Sequence, residues 1–299
     1  MTTKALVLGG GGPVGIAWET GLLAGLAEGG IDLSRADYIL GTSAGAFVGA
    51  QLAMGRSPAK LVATILAQGK DRPARGSSAS GQAPAAVPDL SLLMTKMQEA
   101  VSGSRPAQEV RAELGAWALS VETISEEAFI GSFGRWLREL PADAWPERNY
   151  GCTAVDAADG SFVVWNRQAS AGLARAVASS CSVPGVFPPI TIGGHRYMDG
   201  GMRSPTNADL AKGYDVVVVV AISAAAADPA MAERFQRILD AELRVLRQSG
   251  SRVELITPGP ASADAFGLNL MDSRRSPASA QAGVDQGKDD SNRLRSLWS

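Results

Sequence analysis

Histidine is nearly absent from this sequence, with one residue, His195, among 299. Because a serine nucleophile usually gives its proton to a histidine, at most one catalytic triad of that kind can form. The two cysteines, Cys152 and Cys181, lie in unrelated segments, and their spacing matches no metal site. We therefore expect two buried thiols in a reducing compartment, no disulfide, and no bound metal.

Long apolar runs and an excess of charge of one sign are also missing. The longest apolar run, residues 216–227, is too short to cross a bilayer and suits a buried strand. The net charge is −2 without a basic stripe, which makes nucleic acid an unexpected partner. Residues 1–12 reach a glycine run after four apolar residues, so we predict no signal peptide and a cytoplasmic location. Transient contact with a membrane surface stays open, and so does the oligomeric state.

Glycine, by contrast, is abundant, and helical and strand-like patterns alternate along the chain. Apolar strand patterns fall at 4–8, 38–40, 150–154, 161–165, 216–222 and 252–256, with short strands on either side of Gly193 and Gly194. Helical patterns fall at 16–28, 44–54, 58–68, 90–101, 107–119, 126–140, 169–180 and 229–248. This alternation predicts the α/β class with a mainly parallel central sheet. We expect one domain over residues 1–299 that ends in a partly docked helical tail at 277–299.

Residues 70–89 interrupt this pattern. The segment is rich in Pro, Gly, Ser and Ala and has few large apolar side chains. Such a composition buries too little surface to order itself, which predicts a mobile loop. Composition alone does not separate a tolerated insertion, which we favour, from a lid over a functional site.

The stretch Gly41-Thr42-Ser43-Ala44-Gly45 follows a predicted strand and precedes a predicted helix. G-x-S-x-G in this setting is the sequence form of a nucleophile elbow, a sharp turn that exposes a serine. Ser43 is therefore the candidate nucleophile.

A second glycine-rich loop follows the first strand and contains Gly10, Gly11, Gly12 and Gly15. It matches G-x-G-x-x-G, which also binds dinucleotides, but that function needs an acidic residue at the end of the second strand. Asp37 stands at the start of that strand instead. Because both loops leave the carboxyl edge of neighbouring strands, we expect the glycine amides to form an oxyanion hole beside the serine. A nucleotide cradle is the less favoured alternative.

The general base that accepts the Ser43 proton is either a carboxylate or the single histidine. His195 would need an acid such as Asp156 or Asp159 to form a triad, and both look like turn residues. Asp199 ends a short apolar run and precedes two glycines, and burial there would raise its pKa and make it a better base. Spacing alone equally allows Asp199-Gly200 to be a hairpin turn. We favour Asp199 as the base and a polar turn role for His195.

With a glycine loop, G-x-S-x-G and Asp199-Gly200-Gly201 in this order, the chain resembles the patatin-like phospholipases, a family of lipid acyl hydrolases. The proline-rich segment 180–190, residues 197–211 and the C-terminal segment are also similar to this family. The resemblance covers almost the whole chain apart from 70–89.

The resemblance implies a three-layer α/β/α sandwich and a Ser-Asp dyad made by Ser43 and Asp199, without histidine and without cofactor or metal. Gly10, Gly11 and Gly12 match the oxyanion-hole loop, and the other motif glycines support the turns: Gly15, Gly41, Gly45, Gly200 and Gly201. One departure is Val14, which stands where the family usually has Arg or Lys. The backbone donors remain, but a cation that would favour anionic headgroups is missing.

The expected activity is hydrolysis of carboxylic esters of lipids, with a lipid or ester as substrate. An acyltransferase that uses the same acyl-enzyme is the alternative enzyme. A non-enzymatic module that binds a nucleotide or phosphate on the glycine loop is the other alternative. Three aromatic residues either line an acyl channel or belong to the core, which we favour: Trp18, Phe47 and Phe187.

Overall fold

The computed structural model describes residues 2–70, 93, 95–96, 105–222 and 229–298. The strands are β1 (Lys4–Leu8), β2 (Tyr38–Gly41), β3 (Asn149–Asp156), β4 (Phe162–Trp165), β5 (Ile190–Ile192), β6 (His195–Asp199), β7 (Val216–Val220) and β8 (Arg252–Ile256). The α-helices are α1 (Gly12–Glu28), α2 (Ala44–Ala53), α3 (Pro58–Lys70), α4 (Ala107–Ser120), α5 (Glu126–Ser132), α6 (Arg135–Arg138), α7 (Leu173–Ser180), α8 (Pro229–Gln248), α9 (Pro260–Phe266) and α10 (Ser276–Trp298). Except for Lys70, the loop expected at 70–89 lies outside the described residues, as does most of the helix expected at 90–101.

The described strands form one sheet in the order β5-β6-β3-β2-β1-β7-β8, and β4 pairs with β3 beside this path. Strands β3, β2, β1, β7 and β8 run parallel to one another. Strands β4, β5 and β6 add antiparallel pairs at the β3 side. The predicted α/β class with a mainly parallel sheet is confirmed. Since β1 and β2 are parallel neighbours, the loops that follow them emerge side by side at one edge of the sheet.

Neighbouring residues of a strand point to opposite faces of the sheet, and here both faces are buried. On β1, Leu6 and Leu8 belong to one apolar core, while Ala5 and Val7 belong to another. The first core also takes side chains from α1, α2 and the end of α10, whereas the second takes leucines from α8. Helices therefore cover both faces, which gives the α/β/α layering that the family resemblance implied.

The C-terminal helix α10 packs along α1 at very short range, and glycines on both helices make this possible. A Cβ added at Gly283 of α10 would lie 2.3 Å from the Trp18 carbonyl oxygen, and one at Gly21 of α1 would lie 2.1 Å from the Ala280 carbonyl oxygen. Side chains such as Ala280 and Leu294 are fully buried in this contact. The expected tail is thus a long helix in the outer layer, packed on the first helix of the chain.

Two local predictions need correction, and one helix was not predicted. The helix expected at 126–140 is two helices, α5 and α6, because Gly134 between them has a φ of 89°, outside helical geometry. The helix expected at 169–180 begins only at Leu173. Helix α9 was not predicted, since its seven residues, which start with a proline, carry too short a pattern to stand out.

Candidate active site

Ser43 occupies the sharp turn between β2 and α2, with φ 53° and ψ −117°. Such a conformation costs a non-glycine residue about 1–3 kcal/mol, and surrounding contacts must hold it. The two flanking glycines allow the turn to pass close to its neighbours. A Cβ at Gly45 would lie 2.1 Å from the Leu8 carbonyl oxygen, and one at Gly41 would lie 2.4 Å from the Gly45 carbonyl oxygen. The geometry is that of a nucleophile elbow, and it explains the G-x-S-x-G spacing.

Two side chains at the C-terminal end of α7 hold the backbone of Ser43 on both sides. Its N–H donates to Ser180 Oγ at 3.0 Å, and its carbonyl oxygen accepts from Cys181 Sγ at 3.1 Å. Both partners lie at the C-terminal end of α7 and are buried. The strained turn is therefore fixed by hydrogen bonds to residues far away in the sequence.

The glycine loop lies directly beside this turn. A Cβ added at Gly10 would lie 3.4 Å from Ser43 Cβ, and the Gly45 N–H donates to the Gly9 carbonyl oxygen at 2.9 Å. The Gly10 N–H itself donates to the Pro205 carbonyl oxygen at 2.8 Å. This bond departs from the prediction that all three glycine amides are oxyanion donors, because the Gly10 amide is already occupied.

The amides of Gly11 and Gly12 differ from that of Gly10. Both residues stand at the start of α1, and neither N–H donates to an acceptor in the part of the chain that the structure describes. Gly12 has a φ of 58°, and an added Cβ there would lie 2.8 Å from the Leu270 carbonyl oxygen, so a side chain is not accommodated. Unpaired amides at a helix N-terminus are suited to bind an anion.

Asp199 ends β6 and is 2% exposed. Its Oδ1 accepts from the Gly201 N–H at 2.7 Å, while its buried Oδ2 makes no regular hydrogen bond to any described residue. Burial raises the pKa of Asp199 to about 7, and the Gly201 amide and the Ser43 hydroxyl offset only part of this effect.

Gly200 and Gly201 form a short 3-10 turn after the strand, so the alternative of a hairpin turn is wrong. A Cβ at Gly200 would lie 2.1 Å from Thr153 Oγ1.

A cavity of about 220 Å³ opens between these elements. Its polar part is formed by Ser43, Asp199 and the glycines of the first loop. The remaining wall is mostly apolar and comes from Val183, Met202, Pro205, Phe235, Leu270 and Met271. The structure therefore brings the predicted serine, carboxylate and glycine loop to one cavity.

The aromatic residues considered for an acyl channel do not line this cavity. Trp18 is fully buried, and its Nε1 donates to Ser262 Oγ at 2.9 Å. Phe47 and Phe187 pack against the main core in a cluster of aromatic rings. All three are core residues, the interpretation that we favoured from the sequence.

His195 lies away from the cavity. It begins the strand that Asp199 ends, so about 13 Å of extended chain separates the two residues. Its Nδ1 is 2.9 Å from Asp156 Oδ2, and its side chain is 64% exposed. An Asp-His pair exists, but it is at the opposite end of β6 from Asp199 and does not line the cavity with Ser43.

No group of three or more His, Cys, Asp or Glu among the described residues is arranged to hold a metal ion. Cys152 and Cys181 are buried and free, as predicted. In the described part of the chain, every helix is too short or too polar to cross a membrane.

Sequence reasoning did not single out several buried residues around the site. Ser180 and Cys181 stand at the start of the proline-rich segment 180–190, but nothing local marks them as partners of Ser43. Glu19 on α1 is fully buried, and burial raises its pKa well above the usual range, with the nearby Gly9 amide offsetting part of this effect. Asn207, in the left-handed region with φ 52°, donates to Thr42 Oγ1 at 3.1 Å beneath the elbow. Its unusual conformation cannot be read from the sequence.

These features define an α/β protein whose sheet edge holds a serine on a strained turn, an amide-bearing glycine loop and a buried carboxyl group. The model of the patatin-like phospholipase family matches residues 6–212. The chain belongs to the patatin-like phospholipase family. Membership places it, in general terms, among lipid acyl hydrolases that act on lipid substrates.

A solved structure with a similar fold is that of VipD from Legionella pneumophila. The match has 15% identity and a TM-score of 0.46, and it covers 98% of this chain and 67% of that chain. Comparison with curated proteins finds no match.

Proposed function

We propose that this protein is a serine lipid acyl hydrolase that cleaves carboxylic esters with a Ser43-Asp199 dyad. The observation that carries the proposal is the position of Asp199, a buried carboxyl group in the same cavity as Ser43, and burial there raises its pKa to about 7. An ordinary aspartate has a pKa of about 3.9 and is a weak base near neutral pH. The raised pKa makes Asp199 a stronger base and still leaves a large ionised fraction at neutral pH.

Acylation begins with attack of Ser43 Oγ on the ester carbonyl carbon. As the C–O bond forms, the hydroxyl proton passes to Asp199, and the carbonyl π electrons move to the oxygen. The tetrahedral intermediate then collapses, the ester C–O bond breaks, and Asp199 returns the proton to the leaving alcohol. In deacylation, Asp199 takes a proton from water as the water oxygen attacks the acyl carbon. The bond between that carbon and Ser43 Oγ then breaks, Asp199 returns the proton to Ser43 Oγ, and the fatty acid leaves.

We assign the oxyanion hole to the amides of Gly11 and Gly12. They line the cavity with Ser43 and have no acceptor among the described residues, whereas the Gly10 amide bonds to Pro205. The N-terminus of α1 adds its partial positive charge to these two donors. Removing one donor of this kind typically slows a reaction by about 100- to 1000-fold.

The shape and chemistry of the cavity favour a lipid acyl group as substrate. Its apolar wall, with Val183, Met202 and Phe235, suits a hydrocarbon chain beside the polar reaction centre. Residue 14 is a valine that is fully buried in the core, and this position therefore has no cation to contact a headgroup. We therefore propose that the acyl chain, more than the headgroup, determines binding in this cavity. The chain acts as one catalytic domain in this proposal.

The test is hydrolysis of p-nitrophenyl esters of graded chain length by the wild type, Asp199→Asn and His195→Ala. The kcat/KM of the wild type should rise with pH through about 7 and level off above it, because Asp199 acts in its ionised form. Asp199→Asn should lose about 100- to 10000-fold of the rate, while His195→Ala should keep most of it. The reverse order of the two variants would contradict the dyad, and product analysis with an added alcohol separates hydrolysis from acyl transfer.

A further inference from the structure

Asn207 lies in the segment that follows the turn after Asp199, and its backbone is in the left-handed region. Its φ is 52° and its ψ is 34°, and the residue is fully buried. Asparagine tolerates this conformation better than most residues, so the backbone alone assigns Asn207 a place in a turn and no more. A buried amide side chain must also find partners for its oxygen and its two N–H groups. These partners give Asn207 a further role.

Arg203 determines which way the Asn207 amide faces. Arg203 Nη1 donates to Asn207 Oδ1 at 2.8 Å, and Arg203 Nη2 donates to Asp209 Oδ2 at 2.6 Å. A guanidinium group has donors and no acceptor, so the amide oxygen must face Arg203. The Asn207 nitrogen, Nδ2, therefore faces the opposite side.

On that side, Nδ2 contacts both turns that carry the proposed dyad. It donates to Thr42 Oγ1 at 3.1 Å, and the Gly200 carbonyl oxygen accepts from it at 3.3 Å. Thr42 is the residue before Ser43, and Gly200 is the residue after Asp199. One buried amide thus joins the serine turn to the turn after the carboxylate.

Neighbouring contacts hold the amide and the two turns together. The Ser204 carbonyl oxygen accepts from Asn207 Nδ2 at 2.7 Å, which keeps the side chain close to its own segment. Thr42 Oγ1 lies 2.9 Å from Thr153 Oγ1 on β3, the same oxygen that lies against Gly200. Buried polar groups that are all paired in this way form a rigid network.

We propose that Asn207 is a positioning residue that sets the distance between Ser43 and Asp199. The inference rests on the proposed function, because proton transfer needs the serine hydroxyl within hydrogen-bond reach of the carboxylate. The two residues follow β2 and β6, and β3 lies between these strands, so the sheet does not pair them with each other. The Asn207 amide supplies a link across β3. A misplacement of about 1 Å at a reaction centre can cost about 100-fold in rate.

Kinetics of Asn207→Gly on p-nitrophenyl butyrate test the link. Glycine adopts the left-handed conformation without strain, so this variant removes the amide and keeps the backbone. Its kcat should fall by about 10- to 100-fold, while KM stays within about two-fold of the wild type. A loss confined to KM, or an unchanged kcat, would overturn the proposal.

Ser251→Ala is the control for loss of a buried hydrogen bond. Ser251 is buried, and its Oγ donates to the Tyr214 carbonyl oxygen at 2.6 Å. It precedes β8 and so lies at the amino edge of the parallel strands, opposite the proposed active site. This variant should be less stable in urea and should keep the kcat of the wild type. A kcat loss in Asn207→Gly no larger than that in Ser251→Ala would contradict a positioning role.

Substitutions of Thr42 test the other end of the bond. Thr42→Val removes the hydroxyl that accepts from Asn207 and should lower kcat, whereas Thr42→Ser keeps the hydroxyl and should retain most of the rate. Because Asn207→Gly and Thr42→Val break the same bond, the double variant should lose much less than the product of the two single losses. Losses in kcat that simply multiply would contradict the link.

Urea unfolding of the same four proteins gives a measurement that does not use the activity. The effects of Asn207→Gly and Thr42→Val on the unfolding equilibrium constant should also be coupled, with a double effect smaller than the product. Coupling in unfolding with independent effects on kcat would mean that Asn207 supports the fold alone and would overturn the proposal. If the wild type hydrolyses no ester, the proposed function fails, and the coupling in unfolding still decides whether Asn207 joins the two turns.

Discussion

The raised pKa of Asp199 predicts a specific dependence of stability on pH. The folded protein keeps a proton on this carboxyl group up to about pH 7, whereas the unfolded chain releases it near its ordinary pKa of about 3.9. In this window the folded state binds more protons than the unfolded state, so the free energy of unfolding falls as pH rises. Each pH unit is worth about 1.4 kcal/mol, which gives a total loss of about 4 kcal/mol above pH 7.

Asp199→Asn removes the titrating group and keeps a similar shape. Its side-chain oxygen can still accept from the Gly201 N–H, as Oδ1 does now. The stability of the variant relative to the wild type should therefore increase by about 3 kcal/mol between pH 5 and pH 8, since about two pH units of the window lie in that interval. Other titrating groups are common to both proteins and cancel in the difference.

The assay is urea unfolding of the wild type and Asp199→Asn at pH 5 and pH 8. Asp264→Asn, which replaces an exposed carboxylate, controls for the substitution itself. A stability difference between Asp199→Asn and the wild type that is the same at both pH values would refute the reasoning. The carboxyl group would then ionise at an ordinary pKa, and Asp199 would not be tuned as a base.

Two further predictions concern the elbow. Gly45→Ala would place a Cβ 2.1 Å from the Leu8 carbonyl oxygen and should destabilise the protein by about 3 kcal/mol or more in thermal unfolding. Gly131→Ala, with no atom within 4 Å of the added Cβ, is the matched control and should leave the midpoint unchanged or slightly higher. Ser180→Ala leaves the Ser43 N–H unpaired and should lower kcat about ten-fold or more with little change in KM, and Ser180→Thr should restore part of it. A change confined to KM would contradict the positioning role.

The motifs around Ser43 could be predicted because their physics is local. Gly41 and Gly45 flank the serine at fixed spacing, and a strand before it and a helix after it determine where the turn lies. The meeting of the serine turn and the glycine loop at one edge of the sheet could also be predicted, because the chain begins with two consecutive strand-loop-helix units. The alternation of helix and strand patterns was enough for the α/β class, since it reflects burial on both sides of a sheet.

The remaining features depend on contacts between distant segments, which no local pattern reports. The bond from the Ser43 N–H to Ser180 joins residues 137 positions apart. The hydrogen bond from the Gly10 N–H to the Pro205 carbonyl oxygen is also long-range. It occupies the Gly10 amide, although the glycine pattern does not distinguish Gly10 from Gly11 and Gly12. The position of Asp199 in the sequence suggested a base. The size of its pKa shift could not be predicted, because this shift depends on burial by the whole fold.

In the proposed mechanism, the Ser43 hydroxyl is a nucleophile activated in its cavity. Its most direct test is reaction with a fluorophosphonate, followed by mass spectrometry of the peptide that contains Ser43. We predict one covalent adduct on Ser43 in the wild type, none in Ser43→Ala, and much slower labelling in Asp199→Asn. A wild-type protein that stays unlabelled, or that carries the adduct on another residue, would contradict the account.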